Sequence, residues 1–89
     1  MSRKDRIAAI LTEALRPIQL DIVDESDRHA GHAGARPGGE THYRINIVSP
    51  AFAGKSRVER HRMINALLAS EFASGLHALA IAAAAPDQA

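Results

Sequence analysis

Thr41 to Ile81 reads THYRINIVSPAFAGKSRVERHRMINALLASEFASGLHALAI, and its punctuation decides the fold. Tyr43, Ile45 and Ile47 alternate with His42, Arg44 and Asn46, the period of a strand with one apolar face, running to about Val48. Pro50 and Gly54 bracket a turn. Ser56 and Glu59 then spell a capping box, in which the hydroxyl accepts the amide of residue 59 and the carboxylate returns to the amide of residue 56. A helix is predicted from there through Val58, Ile64, Leu67, Leu68 and Phe72 until Gly75 supplies the C-terminal cap. Leu76 to Ala83 is the next strand. A helix of about 16 residues spans ~24 Å, close to the ~26 Å of an eight-residue strand. It carries the chain back along the whole strand, so the two flanking strands are expected to lie parallel, joined by a right-handed crossover.

Upstream, Ser2 and Asp5 resemble a second capping box, and Ile7, Ile10, Leu11, Ala14 and Leu15 recur at helical spacing until Pro17 stops the helix at about Arg16. Ile18, Leu20 and Ile22 alternate with Gln19, Asp21 and Val23, predicting a strand that ends near Glu25 and pairs antiparallel with the next. From Ser26 to Gly39 the chain reads SDRHAGHAGARPGG, whose glycines and proline break any regular element and predict a long, flexible loop. The tail AAAAPDQA is expected to fray. The order is helix, strand, strand, helix, strand: an α/β (α+β) fold with a three-stranded mixed sheet covered by helices. It forms a single domain over residues 1–89, with an ordered core over 2–84, a flexible loop over 26–39 and a frayed tail over 85–89.

Eighty-nine residues leave no room for a second domain. The only aromatics are Tyr43, Phe52 and Phe72, so the core is aliphatic. There is no cysteine, which excludes disulfides, a thiolate nucleophile and a self-sufficient thiolate cluster site. The start MSRKDRIAAIL is followed by Thr12 and Glu13 and is amphipathic, which favours a helix over a signal peptide or a membrane span. The expected location is the cytoplasm. No nucleophile motif, phosphate-binding loop or H-E-x-x-H is present, and Asp24 and Glu25 point to opposite faces of a strand, so no enzyme is expected.

The parallel pairing has a consequence for the histidines. It brings His77, at the start of the last strand, to the end of the sheet where the loop of His29 and His32 departs. Three imidazoles at one rim suit a borderline or soft metal; the plainer reading is solvated loop histidines and a strand-end histidine. His61 falls among Val58, Ile64 and Leu68 and is expected to pack inward, whereas His42 points away from the Tyr43 side and receives no chemistry. Lys55, Arg57, Arg60 and Arg62 gather at the start of the second helix with Glu59 as their single acid, a patch for phosphates or an acidic partner, or else a solvated helix face. The net charge of +1 does not demand a polyanion. Gly31 to Gly34 spells G-x-x-G but lies between strands, whereas the nucleic-acid clamp of KH domains joins helices.

Four segments together carry a family resemblance: DIVDES at Asp21–Ser26, ETHYRINIVS at Glu40–Ser49, F-x-G-K-S-x-x-x-R-H-R at Phe52–Arg62, and GLHALAI at Gly75–Ile81. In this order, over most of the chain, they resemble the BolA family. The resemblance implies a class II KH-like fold without the clamp. It also implies a non-enzymatic adaptor that binds a monothiol glutaredoxin and shares with it, and with glutathione, a [2Fe–2S] cluster in iron–sulfur trafficking or iron and redox sensing. His77 would be one ligand, and a loop residue the second: His29 by counting forward from Glu25-Ser26, His32 by counting back from Glu40-Thr41, with His29 preferred. Imidazoles replace thiolates on one iron in Rieske centres, and the partner would bring the sulfur. Alone, the chain is expected to be a monomer without a tightly bound cofactor. The competing implication is a DNA-binding regulator of stress response or cell morphology acting through Lys55, Arg57, Arg60, His61 and Arg62. A third reading is an adaptor that uses the second helix without metal.

Overall fold

The computed structural model describes residues 2–25 and 41–88; the expected flexible loop, with His29 and His32, lies outside the described residues. Helix α1 spans Arg3–Leu15 and starts from the Ser2/Asp5 capping box. It ends at Arg16, whose φ of 45° is left-handed and whose N–H donates to the Thr12 carbonyl. Strand β1 is Gln19–Asp24 and β2 is His42–Val48. A 3₁₀ turn at Pro50–Phe52 and Gly54, at φ 75°, lead to α2, Arg57–Leu67, which starts from the Ser56/Glu59 capping box. The Ser56 amide and hydroxyl hold the Glu59 carboxyl below the usual carboxylate range. A short α3, Ala69–Ala73, and β3, Ala78–Ala84, follow.

The sheet order is β1-β2-β3, with β1 antiparallel and β3 parallel to β2. Tyr43, Ile45 and Ile47 stand opposite Leu79, Ile81 and Ala83 on one side, and Ile45 and Ile47 opposite Ile22 and Leu20 on the other. Strand alternation puts all of these on one face. Ile7, Leu11 and Leu15 of α1, with Phe52, Ile64 and Leu68, pack against it as the core. The opposite face carries His42, Arg44 and Asn46 beside Ala78, Ala80 and Ala82. Ser49, fully buried, donates its hydroxyl to the Leu15 carbonyl and accepts the Ala51 amide, tying the end of α1 to the turn after β2.

The structure corrects the sequence expectation at four places. Val58 is 57% exposed, because the inward stripe of α2 is Arg60, Ile64 and Leu68 at fourth-residue spacing and Val58 lies off it. The single helix to Gly75 is broken at Leu68 (φ −98°, ψ 14°), and the break turns Glu71 inward and leaves Phe72 36% exposed. Glu71 is drawn in by two arginines of α1: Arg3 Nη1 donates to Oε1 at 2.9 Å and to the Glu71 carbonyl at 3.0 Å, and Arg6 Nε reaches Oε2 at 3.1 Å. Ile18 is 67% exposed at the head of an edge strand, although its N–H still donates to the Val48 carbonyl. The tail is folded through residue 88. Ala82–Ala84 belong to β3, and Ala85 is buried, with its N–H on Gln88 Oε1 and its carbonyl accepting the Gln88 N–H across a 3₁₀ turn.

Candidate functional site

His77 lies one residue before β3, exposed, at the end of the sheet where β1 finishes and β2 begins. Its backbone is fixed. The Thr41 carbonyl accepts the N–H of His77 at 2.8 Å and that of Ala78 at 3.1 Å. The sheet places residues 25 and 41, which bound the segment carrying His29 and His32, at this same end, and the Glu25 N–H donates to the His42 carbonyl at 2.8 Å.

The contact that sequence reasoning did not anticipate is made by His42. It is buried at the start of β2, with Nδ1 2.8 Å from the Thr41 hydroxyl in a shared hydrogen bond, and its ring packs on that of His77 with centroids 5.3 Å apart and planes tilted by 51°. The signal was present in the pattern: in a parallel pair, a residue that opens β2 must sit beside the residues that open β3, and His42 stands directly across from Ala78. A shallow depression of about 310 Å³ adjoins the pair on this rim, floored by Ala78 and Ala80 and walled by His42, Arg44 and Glu25. Arg44 Nε donates to Glu25 Oε2 at 3.3 Å.

The comparisons with known proteins agree with this architecture. Residues 11–88 match the family model described as BolA-like protein. The chain belongs to the BolA family. It is 51% identical to a Sinorhizobium protein described as an uncharacterised protein in the cobS 5′ region, over 99% of this chain and 96% of that one. It is also 51% identical to SufE-like protein 1, chloroplastic/mitochondrial, of Arabidopsis thaliana; the match covers 98% of this chain and 24% of that longer protein. The solved BolA domain of SufE1 from Arabidopsis thaliana superposes with a TM-score of 0.91 at 48% identity, covering 100% of this chain and 98% of that one. The three-stranded mixed sheet with its helices is therefore the BolA fold.

Within this BolA domain the basic run is divided. Lys55, Arg57 and Arg62 are exposed, but Arg60 is only 8% exposed and turned inward, with Nε donating to the Lys55 carbonyl and Nη1 to the Ala83 carbonyl, each at 3.0 Å. Its guanidinium carbon stands 6.0 Å from the centre of the Phe52 ring. His61 is half-buried and, with Arg57, lines a groove that follows Ala82, Ala83 and Ala84. It flanks the inward stripe without joining it. The basic run and His77 thus mark opposite ends of β3, about 20 Å apart at ~3.3 Å per residue. Among the described residues, no three histidine, aspartate or glutamate side chains converge as a metal site, and no helix is long and apolar enough to cross a membrane.

Proposed function

We propose that this BolA-family chain is a non-enzymatic adaptor that binds a monothiol glutaredoxin and lends His77 to a [2Fe–2S] cluster held jointly with that partner and glutathione. The observation that carries the reading is the placement of His77: an exposed imidazole on a backbone fixed by Thr41, at the sheet end where the segment bearing His29 and His32 leaves and returns.

The donor chemistry fits. With no cysteine anywhere in the sequence, the chain has imidazole nitrogen to offer and no thiolate, and imidazole suits an iron whose other ligands are sulfur. His77 would supply one nitrogen and one of His29 and His32, His29 preferred, a second. When bound, the cluster supplies a transferable iron–sulfur unit whose potential responds to the mixed ligands; delivery or sensing of iron and redox state follows, and the reducing cytoplasm is where we place it.

The DNA-binding alternative is the weaker one. Arg60 is turned inward, with Nε and Nη1 on main-chain carbonyls, which leaves Lys55, Arg57 and Arg62 facing outward, and a net charge of +1 gives little affinity for a polyanion. The test is anaerobic reconstitution with a monothiol glutaredoxin, glutathione, iron and sulfide, followed by visible absorption and circular dichroism against glutaredoxin alone. A heterocomplex with an altered spectrum is expected, which reverts in His77→Ala and in one of His29→Ala and His32→Ala. A glutaredoxin spectrum left unchanged by the wild-type chain, with no complex formed, would overturn the proposal.

A further inference from the structure

An exposed imidazole on a fixed backbone still turns about two side-chain bonds, and a free His77 ring would spread over several rotamers. Three features of the rim act against that. His42 lies against the His77 ring at 5.3 Å, within the range of favourable ring contacts. The His42 ring is itself held, being buried on the central strand of the sheet with Nδ1 hydrogen-bonded to the hydroxyl of Thr41, which is 1% exposed. The residue across from His42 is Ala78, a small side chain beside which the His42 and His77 rings meet.

From this geometry we infer that His42 is a positioning residue for His77: latched by the Thr41 hydroxyl, its ring holds the exposed imidazole in one orientation before any partner arrives. Both parts of His77 are then referenced to one dipeptide. The Thr41 carbonyl fixes its main chain, and the Thr41 hydroxyl, acting through the His42 ring, fixes its side chain. Pre-orienting a group that a partner must otherwise order lowers the cost of association. The purpose of the device rests on the ligand reading of His77, but the positioning itself is a property of the free chain.

The experiment is therefore made first on the protein alone, without iron, glutathione or glutaredoxin. Side-chain couplings and ring-to-ring Overhauser effects are measured by NMR for the wild type, His42→Ala, His42→Phe, Thr41→Val and Thr41→Ser, with backbone amide shifts away from the rim as the control for folding. The wild type is expected to show a single His77 rotamer with cross-peaks to His42. His42→Ala averages the couplings. His42→Phe keeps a ring but loses the bond to the Thr41 hydroxyl, so it is expected to average the couplings as well. Thr41→Val keeps the shape, unlatches His42 and averages His77, and Thr41→Ser rescues it.

In the reconstituted mixture, His42→Ala is expected to weaken glutaredoxin binding by roughly 2- to 12-fold, the worth of immobilising one such side chain. Averaged His77 couplings in the wild type, or couplings indifferent to both His42→Ala and Thr41→Val, would overturn the inference. If His42→Ala does not fold, the pair Thr41→Val and Thr41→Ser decides alone. A wild-type chain that holds His77 in one rotamer yet forms no complex sinks the proposed function and leaves the positioning intact. A complex that needs His77, formed by a chain whose free His77 couplings are averaged, does the opposite.

Discussion

Arg60 Nη1 donates to the Ala83 carbonyl at 3.0 Å, so an arginine from the basic run closes the start of α2 onto β3. Its second bond, to the Lys55 carbonyl, ties down the turn before the helix, and its guanidinium carbon stands over the Phe52 ring. This residue is structural, and its neighbours three and two positions away are not so engaged.

Arg60→Ala should therefore lower stability by about 2–3 kcal/mol, since two charge-assisted bonds to main-chain carbonyls are lost. Arg57→Ala, at an exposed position, should stay within about 0.5 kcal/mol of the wild type. Urea denaturation followed by circular dichroism separates the two. Equal effects would mean that the inward turn of Arg60 contributes nothing.

Glu71 lies between Arg3 and Arg6, and Arg3 also reaches the Ser74 hydroxyl at 2.9 Å and its carbonyl at 3.2 Å. Hydrogen bonding to Arg6, with the charges of both arginines, holds the Glu71 carboxyl below the usual range against the opposing effect of burial. A depressed carboxylate contributes stability above its unfolded value, roughly 4.3, and loses it as the pH falls through the lower folded value. Glu71→Gln should cost about 3 kcal/mol at pH 7, the low end for a broken buried pair because Arg6 keeps solvent access. The gap between the two proteins should shrink on acidification below pH of roughly 4.3. A gap that is constant from pH 7 to pH 3 would contradict this account.

The corrected stripe of α2 makes a paired prediction. Ile64 is fully buried, and Ile64→Ala should cost roughly 2–5 kcal/mol. Val58, more than half exposed, should tolerate Val58→Ala within about 0.5 kcal/mol. Thermal unfolding of the two variants, with the wild type alongside, reads the orientation of the helix directly.

What was legible in the sequence is what local rules govern. Both capping boxes, the alternation of Tyr43, Ile45 and Ile47, and the length of the crossover were enough to give the order of elements, the parallel pairing of β2 and β3, and the end of the sheet where His77 sits. Departures come from partners distant in the chain. The break at Leu68 and the inward Glu71 depend on Arg3 and Arg6, more than sixty residues away, and nothing within α2 announces them. Arg60 was read as surface because its charge is ordinarily solvated, yet its long stem lets a guanidinium reach carbonyls at the strand edge. His42 was set aside because a single strand shows only which face a residue takes; its neighbour on the next strand appears once the register is fixed.

The two ends of β3 should separate recognition from ligation. Lys55, Arg57 and Arg62 lie near its Ala82–Ala84 end and His77 near Ala78, so a protein partner touching both would span about 20 Å at ~3.3 Å per residue. Arg57→Glu with Arg62→Glu is expected to slow association with the glutaredoxin and to weaken its dependence on salt, since exposed charges act mainly on encounter. The cluster spectrum of whatever complex forms should be unaltered. His77→Ala should do the reverse, leaving the association rate near that of the wild type and changing the spectrum. If duplex DNA were the true ligand, three outward cations would give a salt slope of at most about −2.7, a loss of roughly 40-fold between 50 and 200 mM salt. Binding of DNA that follows this slope, while the charge variants leave glutaredoxin association untouched, would assign the basic end of β3 to nucleic acid.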